Sequence, residues 1–149
     1  YLKIFPEKMF DGLRIMPYAR EILSALKSRG VKVACFTNKQ QEGADAILEK
    51  LGLIGSLDAV IGTALHSPRK PDPEFTKKAL SILNVEAGEC VGIGDSPYDY
   101  RAARSVGVDS ALVATGSDSM ESLAKNCPES LGVFENLAKL SESVFGIAL

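Results

Sequence analysis

Two spacings of apolar residues alternate along the chain, and they predict a repeated order of helix and strand. From Ala19 to Leu26 the apolar residues recur three and four positions apart, which is typical of an amphipathic helix. This helix is expected to begin near Pro17 and to end at Gly30, because proline suits the first helical turn and glycine the C-terminal stop. Residues 31–36 then form a short apolar run rich in strand formers, ending at Thr37-Asn38.

The same two spacings continue to the end of the chain. The further predicted elements are a helix over 44–51, a strand over 57–62, a helix over 73–83, a strand over 90–94, a helix over 99–106, a strand over 110–114, a helix over 118–125, a strand over 131–134 and a helix over 137–144. Alternating strands and helices favour right-handed crossovers, so we predict the α/β class with a three-layer, doubly wound parallel sheet. Residues 17–149 are expected to form this core domain, and residues 1–16, which show no clear period, a linker.

Composition and charge narrow the possible partners. The chain has 149 residues, 46% of them hydrophobic, and a formal net charge of -2 without a basic stretch. Nucleic acids and anionic membranes attract clustered lysine and arginine, so we expect neither as a partner and expect a small ligand instead. No export signal or long apolar run is visible, which predicts the cytoplasm. The three cysteines lack C-x-x-C spacing, and no disulfide framework or zinc site is indicated.

A carboxylate follows the third predicted strand. Cys90 to Gly94 is apolar enough for a strand buried on both faces, and Asp95 comes directly after it. Ligand sites of parallel sheets lie at the carboxyl ends of strands, and a carboxylate there suits Mg²⁺, which takes few protein oxygens and keeps several waters. A structural alternative is a capping box, with Ser96 as N-cap and Asp99 reaching back to its amide. That alternative explains Ser96 and Asp99 but leaves Asp95 without a role.

Two other loops carry polar groups that could act with Asp95. The hydroxyl of Thr37 and the turn amides near Asn38 could hold anionic oxygens, or these residues could cap the next helix. Lys70, between Arg69 and Pro71, is either a solvated lysine or a fixed cation. Because the three loops follow successive strands, we expect Thr37, Lys70 and Asp95 to meet at one rim of the sheet. Such a set provides what a phosphoryl-transfer site requires.

Three segments resemble known motifs. Phe36-Thr37-Asn38-Lys39, Arg69-Lys70-Pro71-Asp72-Pro73-Glu74-Phe75 and Gly94-Asp95-Ser96-Pro97-Tyr98-Asp99 are similar to the second, third and fourth motifs of the haloacid dehalogenase-like hydrolase superfamily. Residues 17–39 further resemble its phosphoglycolate phosphatase-like branch. The resemblance implies a HAD-like, Rossmannoid fold and a Mg²⁺ cofactor.

The resemblance also implies a role for each matching residue. Thr37 and Asn38 would bind the transferring phosphoryl group. Lys70 would contact that group too, orient the nucleophile and neutralise charge. Asp95 would bind Mg²⁺, and Asp99 would support either the metal or Lys70.

The family's nucleophile motif has no counterpart in this sequence. The resemblance requires two aspartates, D-x-D, after a first strand, and no D-x-D occurs here. Asp11-Gly12-Leu13 follows no apolar strand, and residues 1–16 instead resemble the return from the family's cap domain. The fold is therefore expected to lack the first strand, which in this family lies between the strands ending at Thr37 and Asp95, and most of the cap. The third strand could close directly onto the first, residues 1–5 or a neighbouring chain could insert, or the strand could be supplied from elsewhere.

The function that the resemblance implies is a Mg²⁺-dependent phosphomonoester hydrolase, working through an aspartyl-phosphate intermediate in the intact parent protein. Its substrate would be a small phosphorylated metabolite. This 149-residue chain alone is expected to be inactive, because a covalent mechanism fails without its nucleophile. The competing hypothesis is a non-catalytic fragment or degenerate module that binds a phosphorylated ligand or a partner protein. A phosphomutase or a receiver-like phosphoacceptor domain is a third possibility.

Overall fold

The computed structural model describes residues 13–149, which form two compact units. One unit ends at Ser67 and the other begins at Pro68. Most of the predicted linker over residues 1–16 lies outside the described residues, as do the segment 1–5 and Asp11-Gly12. The assignment of residues 1–16 to a linker and of residues 17–149 to a single core domain stays a prediction.

The unit that ends at Ser67 has two parallel strands with a helix between them. Its elements are α1 (Ala19–Ser28), β1 (Ala34–Gln40), α2 (Gln41–Lys50) and β2 (Ala59–Thr63). Ile22 and Leu26 bury the apolar face of α1, as its sequence spacing predicts. In the sheet, Ala34 lies opposite Ala59 and Phe36 opposite Ile61.

Strand β1 extends further than its apolar run. The apolar run predicts a strand that ends at Thr37-Asn38, but β1 continues to Gln40, so both residues lie inside the strand. The register with β2 shifts between Phe36 and Gln40, and the hydroxyl of Thr63 on β2 donates to the carbonyl oxygens of Asn38 (3.0 Å) and Lys39 (3.2 Å). These hydrogen bonds keep a polar segment extended without apolar burial. The alternative in which Thr37 or Asn38 caps α2 is wrong, because the N-cap is Gln40.

The unit that begins at Pro68 has three parallel strands in the order β3-β4-β5. Its elements are α3 (Pro73–Leu83), β3 (Val91–Gly94), α4 (Pro97–Arg104), β4 (Asp109–Val113), α5 (Met120–Asn126), β5 (Val133–Phe134) and α6 (Leu137–Leu140), which continues as a π-helical turn (Ser141–Phe145). The core centres on β4, where Leu112 packs with the buried side chains of Tyr100, Leu123 and Cys127. Parallel strands joined by helices confirm the predicted α/β class.

Strand β3 differs from its prediction. It lies at one edge of its sheet, and Val91 and Ile93 keep 36% and 39% of their surface exposed. The expectation of a strand buried on both faces is therefore wrong within the described part of the chain, because an apolar run does not reveal what covers it.

No helix within residues 13–149 is both long and apolar enough to cross a lipid bilayer. The cytoplasmic location that the sequence predicts stays a prediction.

Candidate active site

An ion pair between Lys70 and Asp99 lies at the start of two helices in the unit that begins at Pro68. The Lys70 Nζ atom is 2.6 Å from Asp99 Oδ1, and the two side chains are only 12% and 19% exposed. Lys70 comes just before α3, and Asp99 lies in the first turn of α4. The two helices are joined by a buried hydrogen bond in which the Thr76 hydroxyl donates to the Ala102 carbonyl (3.0 Å). This helix contact helps to fix the lysine and its carboxylate partner at short range.

The second oxygen of Asp99 binds the segment that connects β3 to α4. Asp99 Oδ2 accepts hydrogen bonds from the backbone N–H groups of Asp95 (3.1 Å) and Ser96 (3.2 Å) and from the Ser96 hydroxyl (3.1 Å). The capping arrangement predicted from the sequence is therefore present, and the same side chain also pairs with Lys70. Both oxygens of Asp99 are thus engaged by protein donors.

Asp95 follows β3 directly, as predicted. Its carboxylate differs from that of Asp99 in having no donor from the described residues bonded to it. The residue is exposed, and within the described part of the chain its carboxylate forms no hydrogen bond or ion pair; only its backbone N–H is bonded. A solvent-facing carboxylate at a strand end suits Mg²⁺, because this ion is commonly held by one or two carboxylates together with waters and phosphate oxygens. No group of three candidate metal ligands occurs among residues 13–149.

Gly94 gives Asp99 the space that it occupies. A Cβ atom built on Gly94 would overlap the Asp99 side chain, including its Cβ, Cγ and Oδ2 atoms. The Gly-Asp pair was visible in the sequence, but the reason for the glycine required the structure. Any larger residue at this position must displace the carboxylate that pairs with Lys70.

We therefore expect Gly94→Ala to lower the free energy of unfolding by about 2–3 kcal/mol, since overpacking and the loss of Asp99 hydrogen bonds act together. Gly88→Ala is the matched control, because a Cβ at Gly88 meets nothing within 4 Å. Urea denaturation monitored by circular dichroism measures both variants. Equal midpoints for the two alanine variants would show that Gly94 is not needed to seat Asp99.

In the other unit, the Thr37 side chain is bonded to the backbone of its own strand, β1. Its Oγ1 atom accepts a hydrogen bond from the Lys39 N–H (3.1 Å), and its hydroxyl proton is left to donate elsewhere. A hydroxyl proton that is available in this way can form a hydrogen bond to an oxygen atom of a phosphoryl group.

Gln41 and Thr63 fix the end of β1 to β2, and neither residue was predicted from the sequence to have this role. The Gln41 side chain donates to the Val60 carbonyl (3.0 Å) and accepts from the Gly62 N–H (2.8 Å). Thr63 adds the two hydrogen bonds described above. A Cβ on Gly62 would lie 2.8 Å from the Lys39 carbonyl oxygen, so the backbones approach closely there. The only sequence signal was a glycine inside a strand, which often marks such an approach.

Lys70, Asp95 and Asp99 thus come together within one unit. Thr37 and Asn38 belong to the other unit, and their convergence with Lys70 and Asp95 stays a prediction.

Cys90 and Cys127 have thiols whose pKa values are raised. Burial raises the pKa of the Cys90 thiol, with a further contribution from the charge of Glu89. Burial also raises the pKa of Cys127. A thiol must ionise to act as a nucleophile, so the raised pKa makes both thiols weaker nucleophiles at neutral pH than an ordinary cysteine.

Comparison with known proteins decides the family. The model of the haloacid dehalogenase-like hydrolases matches residues 4–107. The chain belongs to this family. The match includes all the segments that resemble the second, third and fourth motifs, so the family predicted from those residues is confirmed.

Individual relatives point to the same branch. This HAD-like chain is 36% identical over 131 residues to a phosphoglycolate phosphatase of Rhodospirillum rubrum, a match over 88% of the chain and 53% of the relative. It is 34% identical over 116 residues to a phosphoglycolate phosphatase of Aquifex aeolicus, covering 78% of the chain and 49% of that relative. The phosphoglycolate phosphatase-like branch is thereby confirmed. The chain spans about half the length of these relatives.

Solved structures agree on the fold. The crystal structure of a HAD-superfamily hydrolase from Ehrlichia chaffeensis superposes with a TM-score of 0.74 at 26% identity, covering 91% of this chain and 60% of that one. The predicted HAD-like, Rossmannoid fold is confirmed.

Proposed function

We propose that this chain is part of a Mg²⁺-dependent phosphomonoester hydrolase that works through an aspartyl-phosphate intermediate. The observation that carries the proposal is the pairing of Lys70 with Asp99 beside the unpartnered carboxylate of Asp95. Relatives named phosphoglycolate phosphatase support a small phosphorylated substrate, with phosphoglycolate as the first to test. In this mechanism a nucleophilic aspartate attacks phosphorus, the alcohol leaves, and water then cleaves the acyl phosphate. The nucleophile would come from residues outside this sequence, which contains no D-x-D.

Each site residue then has a distinct task. Lys70 places a positive charge at the nucleophile and the phosphoryl oxygens, and Thr37 donates its hydroxyl proton to one of those oxygens, with Asn38 beside it. Asp95 would hold Mg²⁺, which when bound neutralises charge on the transferring phosphoryl group. Because Lys70 is held by its ion pair with Asp99 before the substrate arrives, its charge requires little reorganisation during the reaction.

Of the two roles that the resemblance allows for Asp99, we propose the one that acts on Lys70. Its Oδ1 atom binds Lys70 and its Oδ2 atom accepts three hydrogen bonds from Asp95 and Ser96. A direct metal ligand needs an accessible oxygen lone pair, and Asp95 offers one more readily. Asp99 is therefore a positioning residue for Lys70 and for the backbone of Asp95.

A magnesium titration of the purified chain tests the metal part of this proposal. We expect Asp95→Asn to weaken Mg²⁺ binding at least about tenfold, because the amide removes the charge of the proposed protein ligand. Asp109→Asn is the control, since Asp109 is also an exposed aspartate but lies at the start of β4. Isothermal titration calorimetry gives the affinities. Unchanged binding by Asp95→Asn, or no binding by the wild type at millimolar Mg²⁺, would contradict the assignment.

One observation favours the alternative function. The absence of a D-x-D pair in the sequence is also expected of a degenerate module that binds a phosphorylated ligand or a partner protein without hydrolysis. The residues encoded upstream of Tyr1 discriminate between the two. An apolar strand ending in D-x-D there supports the hydrolase, and an upstream sequence without that pattern supports the binding module.

A further inference from the structure

The loop after β4, residues 114–118, passes beside the side chain of Asp95. We propose that Gly116 in this loop is a positioning residue whose missing side chain provides the space for the Asp95 carboxylate. The inference rests on the proposed function in one respect, namely that Asp95 holds a divalent cation. Its geometric part is independent of that function.

A side chain at position 116 would collide with the side chain of Asp95. A Cβ atom built on Gly116 would lie 2.5 Å from Asp95 Oδ2, 2.9 Å from its Cγ and 3.2 Å from its Cβ. All three distances are shorter than ordinary van der Waals contact, and all three nearest atoms belong to Asp95. Even the smallest side chain at position 116 therefore competes with the carboxylate for the same volume.

Backbone conformation does not explain this glycine. Gly107 adopts a φ of +79° with nothing within 4 Å of a built Cβ, so there the left-handed backbone favours glycine. Gly116 is not in that region of positive φ. A positive φ therefore does not account for glycine at position 116, whereas the close approach to Asp95 does.

Asp95 is constrained from two sides. Its backbone N–H is bonded to Asp99 Oδ2, and the pairing of Gly94 with Leu112 fixes the ends of β3 and β4 that lead to the two loops. Its carboxylate forms no hydrogen bond with any residue that the structure describes, so packing, and not hydrogen bonding, limits where it points. A Cβ atom at Gly116 would come within 2.5 Å of Oδ2, so the missing side chain leaves room for the carboxylate on that side. A change at Gly116 should therefore redirect the carboxylate without removing it.

The consequence is a specific effect on cation binding. Gly116→Ala leaves the charge of Asp95 in place and displaces its oxygens. We expect the Mg²⁺ affinity of the folded variant to fall about tenfold, the lower range of losses seen when residues supporting a metal ligand are changed. Gly88→Ala, in an open turn of the same unit, should bind as the wild type does.

The experiment is a double-mutant cycle with two readouts, the urea midpoint and the Mg²⁺ affinity by calorimetry. Gly116→Ala should lower the urea midpoint more in the wild-type background than in an Asp95→Ala background, which lacks the Cγ and Oδ2 atoms and keeps only the Cβ contact. That coupling, with the affinity loss in Gly116→Ala, is the expected result.

The remaining outcomes separate the two proposals. Coupling in the unfolding midpoints without Mg²⁺ binding by the wild type would support the packing of Gly116 on Asp95 and overturn the metal role of Asp95. Equal midpoints for Gly116→Ala and Gly88→Ala, or the same loss with and without the Asp95 carboxylate, would overturn the positioning role. Wild-type affinity retained by Gly116→Ala would overturn it as well, and would leave Mg²⁺ binding at Asp95 intact.

Discussion

Asp99→Ala is expected to lower the free energy of unfolding by about 3 kcal/mol, in the range measured when one partner of a buried ion pair is removed. The truncation leaves the Lys70 ammonium, in a side chain only 12% exposed, without the carboxylate 2.6 Å away. It also removes the acceptor of three hydrogen bonds from Asp95 and Ser96. An unpaired, partly buried charge and unsatisfied donors both disfavour the folded state.

The chain contains a matched comparison for this variant. Lys77 and Glu74 form a second lysine–carboxylate pair in α3, but their side chains are 61% and 66% exposed. Solvent screens such a pair, so Lys77→Ala should leave the urea midpoint almost unchanged. A Lys70→Met background supplies the second test, because Asp99→Ala should cost at least about 1 kcal/mol less when no charge is left unpaired. If Asp99→Ala behaved like Lys77→Ala, the ion pair would have no structural importance.

The sequence predicted the helix–strand order because each helix carries a regular apolar stripe and each strand a short apolar run. It also predicted the capping contact between Asp99 and Ser96, since the two residues are three positions apart and the signal is local. The ion pair of Asp99 with Lys70 spans 29 positions. No periodicity reveals a contact at that separation, and only the family resemblance suggested it.

The features that were missed depend on contacts between distant segments. Gln41 reaches Gly62 across 21 positions and prolongs β1 beyond its apolar residues. Gly116 owes its identity to Asp95, which belongs to a different loop. The exposure of Val91 and Ile93 could not be predicted either, because an apolar run has the same sequence at the edge of a sheet as at its centre.

The second large effect that we expect is a complete loss of phosphatase activity. The 149-residue chain is expected to show no measurable phosphatase turnover, with or without Mg²⁺. Covalent phosphoryl transfer requires a nucleophile, and the sequence has no D-x-D to provide one. The raised pKa values of Cys90 and Cys127 lower the fraction of each thiol that is ionised at neutral pH, so we do not expect either thiol to act as the nucleophile.

Loss of activity through misfolding must be distinguished from loss of the nucleophile. A cooperative urea transition of the same preparation shows that the assayed chain is folded. Mg²⁺ binding that depends on Asp95 shows in addition that the remaining site is intact. An inactive chain that meets both conditions is folded, and its inactivity is then due to the absence of a nucleophile.

The decisive measurement is the rate of Mg²⁺-dependent hydrolysis of an aryl phosphate and of phosphoglycolate, by this chain and by the chain extended with the residues encoded upstream of Tyr1. The expected result is hydrolysis by the extended protein, its abolition by Asp95→Asn, and none by the 149-residue chain. Robust Mg²⁺-dependent hydrolysis by the 149-residue chain itself would contradict the assignment of the nucleophile to residues outside it.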